Sequence, residues 1–371
     1  MNKAPAAILA AMLFVAAPAW AQAPIQIVPP AAQHAPKPIK PTHRPAAKPA
    51  KPAVHERAGP APAPAKPKPE PRPSKSLALP YAPPATGGSE PDLAYAAYDA
   101  GKYLTAFAEA TRRVNEKGDA KAMTLLGELY ANGFGVPRDD QKAIAWYSLA
   151  VDRGDREAMF ELAMLRIAGR GGPRDRDSAA ALLERAAKLG HVAAAYNLAL
   201  LYLEGEQFDR DFAKAAELLR SAADAGNPDA QYALATLYKE GRGVPKDLGE
   251  AARLLGVAAR SGNLDAEVEY AIALFNGTGV AKDEPGAVVW FRRAARQGSP
   301  IAQNRLARIL AAGRGAPADP VAATKWHLIA KAAGEGDPWL DAFVGNLKPA
   351  DREAGEKAAK PWLTTPSSPR T

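Results

Sequence analysis

The sequence contains no cysteine. In an exported chain this excludes a disulfide scaffold and a lipid anchor that requires an acylated cysteine, and in any chain it excludes a cysteine nucleophile. Histidine is scarce: there are five in 371 residues, and His34, His43 and His55 sit far apart in a proline-rich stretch. Ligands on such a coil would have to give up chain freedom to meet on a metal ion. Only His191 and His327 lie where the chain patterns as folded, and no His-Glu-x-x-His or Gly-Lys-Ser/Thr motif occurs. After the N-terminus there is also no apolar run of the ~20 residues needed to cross a bilayer; the longest lies around Ala193 to Leu203. These absences leave no catalytic constellation, metal site or cofactor site to expect, and no membrane span once the leader is removed.

Charge is unevenly spread. The formal net charge is +8. Residues 22–86 hold nineteen of the 35 prolines and ten Lys or Arg against two acids, so this stretch alone accounts for the excess. Residues 87–371 are close to neutral, which argues against a basic nucleic-acid-binding domain. The run KPKPEPRPSK and its many Ala-Pro and Lys-Pro pairs cannot bury a core and favour solvated polyproline II. At about 3.1 Å per residue, fully extended, the stretch would reach on the order of 200 Å. It is expected to be a disordered basic tether, either a solubilising linker or an element that touches anionic envelope polymers.

Residues 1–21 read as a secretory signal: Lys3, an apolar run from Ala4 to Ala17, Pro18, then Ala19-Trp20-Ala21 before Gln22. Cleavage after Ala21 would place the protein in the periplasm or the medium. The alternative, an uncleaved anchor, would give an arrangement like that of TonB-type energy transducers.

The body of the chain is periodic. Glycines recur every 36 residues at Gly133, Gly169, Gly205, Gly241, Gly277 and Gly313, and a second series of the same period runs from Gly118 to Gly334. Two stops per period mean two helices. Asp119, Asp155, His191, Asn227, Asn263 and Ser299 follow the second series, and all but His191 are good N-caps for a first helix, A. The column Asp139, Asp175, Asp211, Asp247, Asp283 and Asp319 marks the start of a second, B, where a carboxylate accepts orphan N–H groups. In helix A, the column of alanines from Ala122 to Ala302 stands four residues before a large column from Leu126 to Leu306. In helix B, alanines at Ala143 and Ala150 and their equivalents flank Trp146, Leu182, Leu218, Leu254, Trp290 and Trp326, read here as the core column. The predicted fold is an all-α solenoid: a helix pair over 87–118, six 36-residue units over 119–334, capping helices over 335–361 and a disordered tail over 362–371.

Segments such as AMTLLGELYANGFGVPRDDQKAIAWYSLAVDRG (Ala122 to Gly154) and AQYALATLYKEGRGVPKDLGEAARLLGVAARSG (Ala230 to Gly262) resemble Sel1-like repeats, relatives of the tetratricopeptide repeat with a longer G-x-G-V loop. The third unit departs, with GEQFDRD from Gly205 to Asp211. The resemblance implies a non-enzymatic adaptor that assembles envelope or secretion proteins. Some relatives are assigned penicillin-related hydrolysis, but those carry paired cysteines in each repeat, which this chain lacks.

By analogy with tetratricopeptide solenoids, helix A lines the concave side. Its stripe outside the core is Lys121, Leu125, Glu128 and Asn132 in the first unit, then Glu161, Met164, Asn197, Leu200, Glu204, Glu240, Glu269, Ile272, Arg305 and Arg308. Apolar members on an otherwise exposed stripe suggest a groove for a protein or peptide partner.

Overall fold

The computed structural model describes residues 92–205 and 209–364. The expectations for the leader, the basic tether and the last seven residues lie outside these, as does the centre of the irregular third loop, residues 206–208. Among the described residues there are sixteen helices and no strand. None of these helices is long and apolar enough to cross a membrane.

An opening pair, α1 (Leu93–Asp99) and α2 (Tyr103–Lys117), precedes six pairs of thirteen-residue helices. The A helices are α3 (Ala120–Asn132), α5 (Arg156–Ala168), α7 (Val192–Glu204), α9 (Pro228–Glu240), α11 (Leu264–Asn276) and α13 (Pro300–Ala312). The B helices are α4 (Asp140–Asp152), α6 (Arg176–Lys188), α8 (Phe212–Asp224), α10 (Leu248–Arg260), α12 (Glu284–Arg296) and α14 (Pro320–Ala332). Two further helices close the array, α15 (Pro338–Gly345) and α16 (Pro349–Thr364). Extensive packing runs between helices consecutive in the chain, which makes the stack a solenoid. Helices of three to four turns are marginal alone, so their stability comes from neighbours.

The capping chemistry is regular. Each A helix ends on a glycine in the left-handed region, as at Gly133 with φ 72°, where no side chain opposes the turn. Each A helix begins on a side chain that accepts the amide three residues on; at α7 the acceptor is Nδ1 of His191, 3.0 Å from the Ala194 nitrogen, so the histidine caps like its polar counterparts. The aspartate column has two tasks. Each carboxylate accepts an amide of the first turn of its B helix, while its own backbone N–H donates to a carbonyl of the preceding A helix, as Asp247 does to Tyr238 at 2.9 Å. One residue thus caps one helix and ties it to the other.

The second glycine of the G-x-G loop has a different reason. A Cβ at Gly171 would come 3.0 Å from the Asp140 carbonyl oxygen, and one at Gly315 2.6 Å from that of Glu284, both at the start of the previous B helix. The loop lies directly on its neighbour, and the residue between the glycines clamps it. Arg170 bonds Asp140 at 2.6 Å, Arg314 bonds Glu284 at 2.5 Å, and Arg242 lies over the Phe212 ring at 5.5 Å. These contacts recur thirty residues apart, so they set the register between repeats.

The core departs from the sequence reading in one column. The fully packed large residues of the B helices are Tyr147, Leu183, Leu219, Leu255, Phe291 and His327, one position after the column expected. Trp146, Leu218 and Trp290 are half-buried at its edge, whereas Leu182, Leu254 and Trp326 are buried. A thirteen-residue helix places neighbouring positions about 100° apart, so either column could have faced inward; packing against the neighbouring A helix decides. His327 is therefore a polar group in a hydrophobic column. Its Nε2 lies 2.8 Å from Asp341, which also takes Lys331 at 2.7 Å.

The C-terminal end also corrects an expectation. The helix α16 runs through residues 362–364, which the sequence placed in a disordered tail, and packs along α14 as extensively as α13 does. Gly355 allows it to close on Thr324, and Trp362 meets Trp326 edge to face at 5.3 Å with Lys325 over both rings. The aromatic contact holds the last turn despite Pro361.

Candidate functional site

The A helices carry the candidate face. Of its fourteen sequence-predicted residues, eleven are half-buried and Lys121 and Asn132 are exposed. Leu125 does not belong to the face. It is fully buried within α3, where the opening pair covers the first repeat, so its column is core at this end and surface further on. Met164, Leu200 and Ile272 are half-buried, separated by polar side chains.

A further column was missed. Phe160, Tyr196 and Tyr232 stand at equivalent positions in the second, third and fourth repeats and are half-buried beside the stripe. Their 36-residue spacing is legible in the sequence, but the other repeats put Thr124, Val268 and Asn304 there. Burial, with Asp229 nearby, pushes the Tyr196 phenol up to about 12, and burial followed by Glu269 and Asp265 raises that of Tyr232. These rings offer flat apolar area with a polar edge.

Charge is graded along the face. Near the middle the acids have cations: Glu269 takes Lys239 at 2.9 Å, Glu240 takes Arg242 at 3.0 Å, and Glu204 lies 3.6 Å from Arg176. The C-terminal end is basic. Arg308 makes a two-pronged bond to the buried carboxylate of Asp337 at the cap of α15, which also accepts from Asn304 at 3.1 Å. Burial, with Arg308 alongside, lowers the Arg305 guanidinium.

The N-terminal end is acidic. His191 Nε2 lies 3.1 Å from Glu157, with its ring stacked on Phe160 at 4.6 Å between centroids. Glu128 accepts a hydrogen bond from the Tyr98 hydroxyl at 2.5 Å, and burial raises its carboxyl. The Glu161 carboxyl is pushed up to about 7, first by burial and then by Glu128 and Glu157. Among the described residues no group of three His, Asp or Glu side chains is placed to hold a metal ion.

The family model of the Sel1 repeat matches residues 120–155, 156–191, 192–227, 228–263, 264–299 and 300–335, more than half of the chain. Among solved structures, the chain is similar to a Sel1 repeat protein from Oxalobacter formigenes at 26% identity and a TM-score of 0.57, over 65% of this chain and 97% of that one. It is also similar to c5321, described as a protective antigen of uropathogenic Escherichia coli displaying an SLR fold, at 25% identity and a TM-score of 0.49. That match spans 70% of this chain and 64% of c5321. No curated protein matches the chain.

Proposed function

This chain belongs to the Sel1 repeat family, whose fold is a protein-interaction scaffold, and from that premise we propose that it is a non-catalytic adaptor of the bacterial cell envelope, exported to the periplasm or beyond. Its partner is a protein or peptide bound along the A-helix face. The observation that carries this reading is the half-burial of Met164, Leu200 and Ile272 between charged and aromatic neighbours. A surface needed only for packing would bury these side chains, and one needed only for solubility would be free of them. The leader-like residues 1–21 support export.

The test is site-specific photo-crosslinking in the source cell. A benzophenone amino acid is placed at Asn197 or Thr236 on the A face, and at Glu184 or Arg220 on the B face. Discrete adducts from the A positions alone support the reading; adducts from the B positions alone, or none from either, overturn it. N-terminal sequencing of the mature protein tests export, since Gln22 as the first residue is the expected result.

A second reading gives residues 22–86 the main contact, with peptidoglycan or another anionic polymer, and is favoured by the ten cations of that stretch. Cosedimentation of the full chain with cell-wall sacculi, abolished by salt, would support it.

A further inference from the structure

At the N-terminal end of the A face the repeat pattern breaks in a matched pair. In the inner repeats the deepest B-helix column reads Leu183, Leu219, Leu255 and Phe291, faced on the A helices by alanines from Ala163 to Ala271. In the first repeat the pair is Tyr147 and Gly127. A Cβ on Gly127 would lie 2.6 Å from Cδ1 and Cε1 of Tyr147, so the glycine is what admits the ring. The tyrosine is fully buried, yet its hydroxyl makes no hydrogen bond among the described residues. Leucine would fill this column with no orphaned polar atom, as it does in the next three repeats.

After burial itself, the groups that act on the Tyr147 hydroxyl are Glu161, Glu128, Tyr95 and Tyr98, so it lies within electrostatic reach of both carboxylates of the acidic end. Among the described residues, Glu128 has only the Tyr98 hydroxyl as hydrogen-bond partner, and Glu161 makes no hydrogen bond or ion pair. The cations nearby are engaged: Arg170 is held by Asp140 and the Ala131 carbonyl, and His191 by Glu157 and the start of α7. The acids in the middle of the face are in ion pairs, and among the described residues these two are not.

We propose that Tyr95, Tyr98, Glu128 and Glu161, beside the buried Tyr147, form a cradle for a cationic side chain, lysine or arginine, on an extended segment of a protein partner. The methylene stem lies against the Tyr95 and Tyr98 rings, and the cation sits between the two carboxylates. Its arrival gives the two carboxylates an ion-pair partner, with the unpartnered Tyr147 hydroxyl dipole within electrostatic reach. The proposal rests on the A face being the recognition surface and adds the chemistry of one subsite.

The probe is a fluorescein-labelled Ala-Lys-Pro-Lys-Pro-Lys-Ala amide, with its acetyl-lysine counterpart as control, followed by anisotropy at low salt on the full chain. The lysine peptide is expected to saturate the wild type and the acetylated one to bind about tenfold more weakly. Glu161→Gln and Glu128→Gln should each weaken the lysine peptide about tenfold. Tyr147→Phe should weaken it while leaving the helical signal intact, whereas Glu269→Gln, on the same face but outside the cradle, should change it less than about twofold. Equal loss with Glu269→Gln and Glu161→Gln would overturn the cradle while leaving the A face as the recognition surface. Equal binding of the two peptides, or no binding of the lysine peptide, overturns the cradle as well, whatever the photo-crosslinking shows.

Discussion

Replacement of Glu161 by glutamine should stabilise this protein, and by an amount that depends on pH. The carboxyl is half-buried with Glu128 and Glu157 around it, and only Arg170 and His191 favour its charge. Its affinity for a proton rises from the ordinary 4.5 to about 7, a difference on the order of 3 kcal/mol in the cost of ionisation. Residual water access makes that an upper bound, so about 1–3 kcal/mol is expected. The sign follows from proton binding. Between about 4.5 and 7 the folded state holds a proton that the unfolded state has released, so this group's contribution falls as pH rises through the window and is lowest above it. Glutamine does not ionise and escapes the loss. Urea unfolding at pH 5 and pH 8, read by circular dichroism, should show the variant gaining its full increment at pH 8 and little at pH 5. Repeat arrays can unfold in pieces, so amide exchange within α5 supplies the local reading. A variant less stable than wild type at pH 8, or equally stabilised at both pH values, would refute the argument that Glu161 is charged against its surroundings.

Gly127→Ala should lower stability by about 1–3 kcal/mol through overpacking against the Tyr147 ring. Adding Tyr147→Leu should recover most of that loss in thermal melts, because it recreates the alanine-leucine pair of the next repeat. Asp247→Ala removes both the cap of α10 and its carboxylate, and should cost about 1 kcal/mol in urea titrations. Gly279→Ala and Gly262→Ala both place alanine in the left-handed region, at φ 72° and 89°, for about 1–2 kcal/mol each. Gly279 also abuts the Leu248 carbonyl of the previous repeat while Gly262 faces open space, so the melting temperature should fall further for Gly279→Ala.

How far the sequence could be read differed from one feature to the next. The 36-residue spacing of glycines, the polar column before each A helix and the aspartates before each B helix are local signals, because a cap and a left-handed turn are satisfied within a few residues. Which of two adjacent B-helix columns faces inward is not local. Trp146 and Tyr147 are equally apolar to a sequence pattern, and the neighbouring A helix, through Gly127, selects Tyr147. Leu125 was misassigned for a related reason, since the opening helix pair covers the first repeat where later repeats leave the same position open. The acidic end was only half visible: Glu128 and Glu161 were on the predicted stripe, but the Tyr98 bond to Glu128 and the electrostatic coupling of both acids to Tyr147 join three helix pairs.

The sequence by itself determined the repeat, its length, the class of fold and where each helix of the six repeats starts and stops, because backbone hydrogen bonding and glycine conformation are settled within a turn. The tertiary structure alone decided which side chains are core, which charges are left without a partner and where the last helix closes the stack. Those outcomes depend on neighbours thirty or more residues away, whose approach removes water from some groups and leaves it at others.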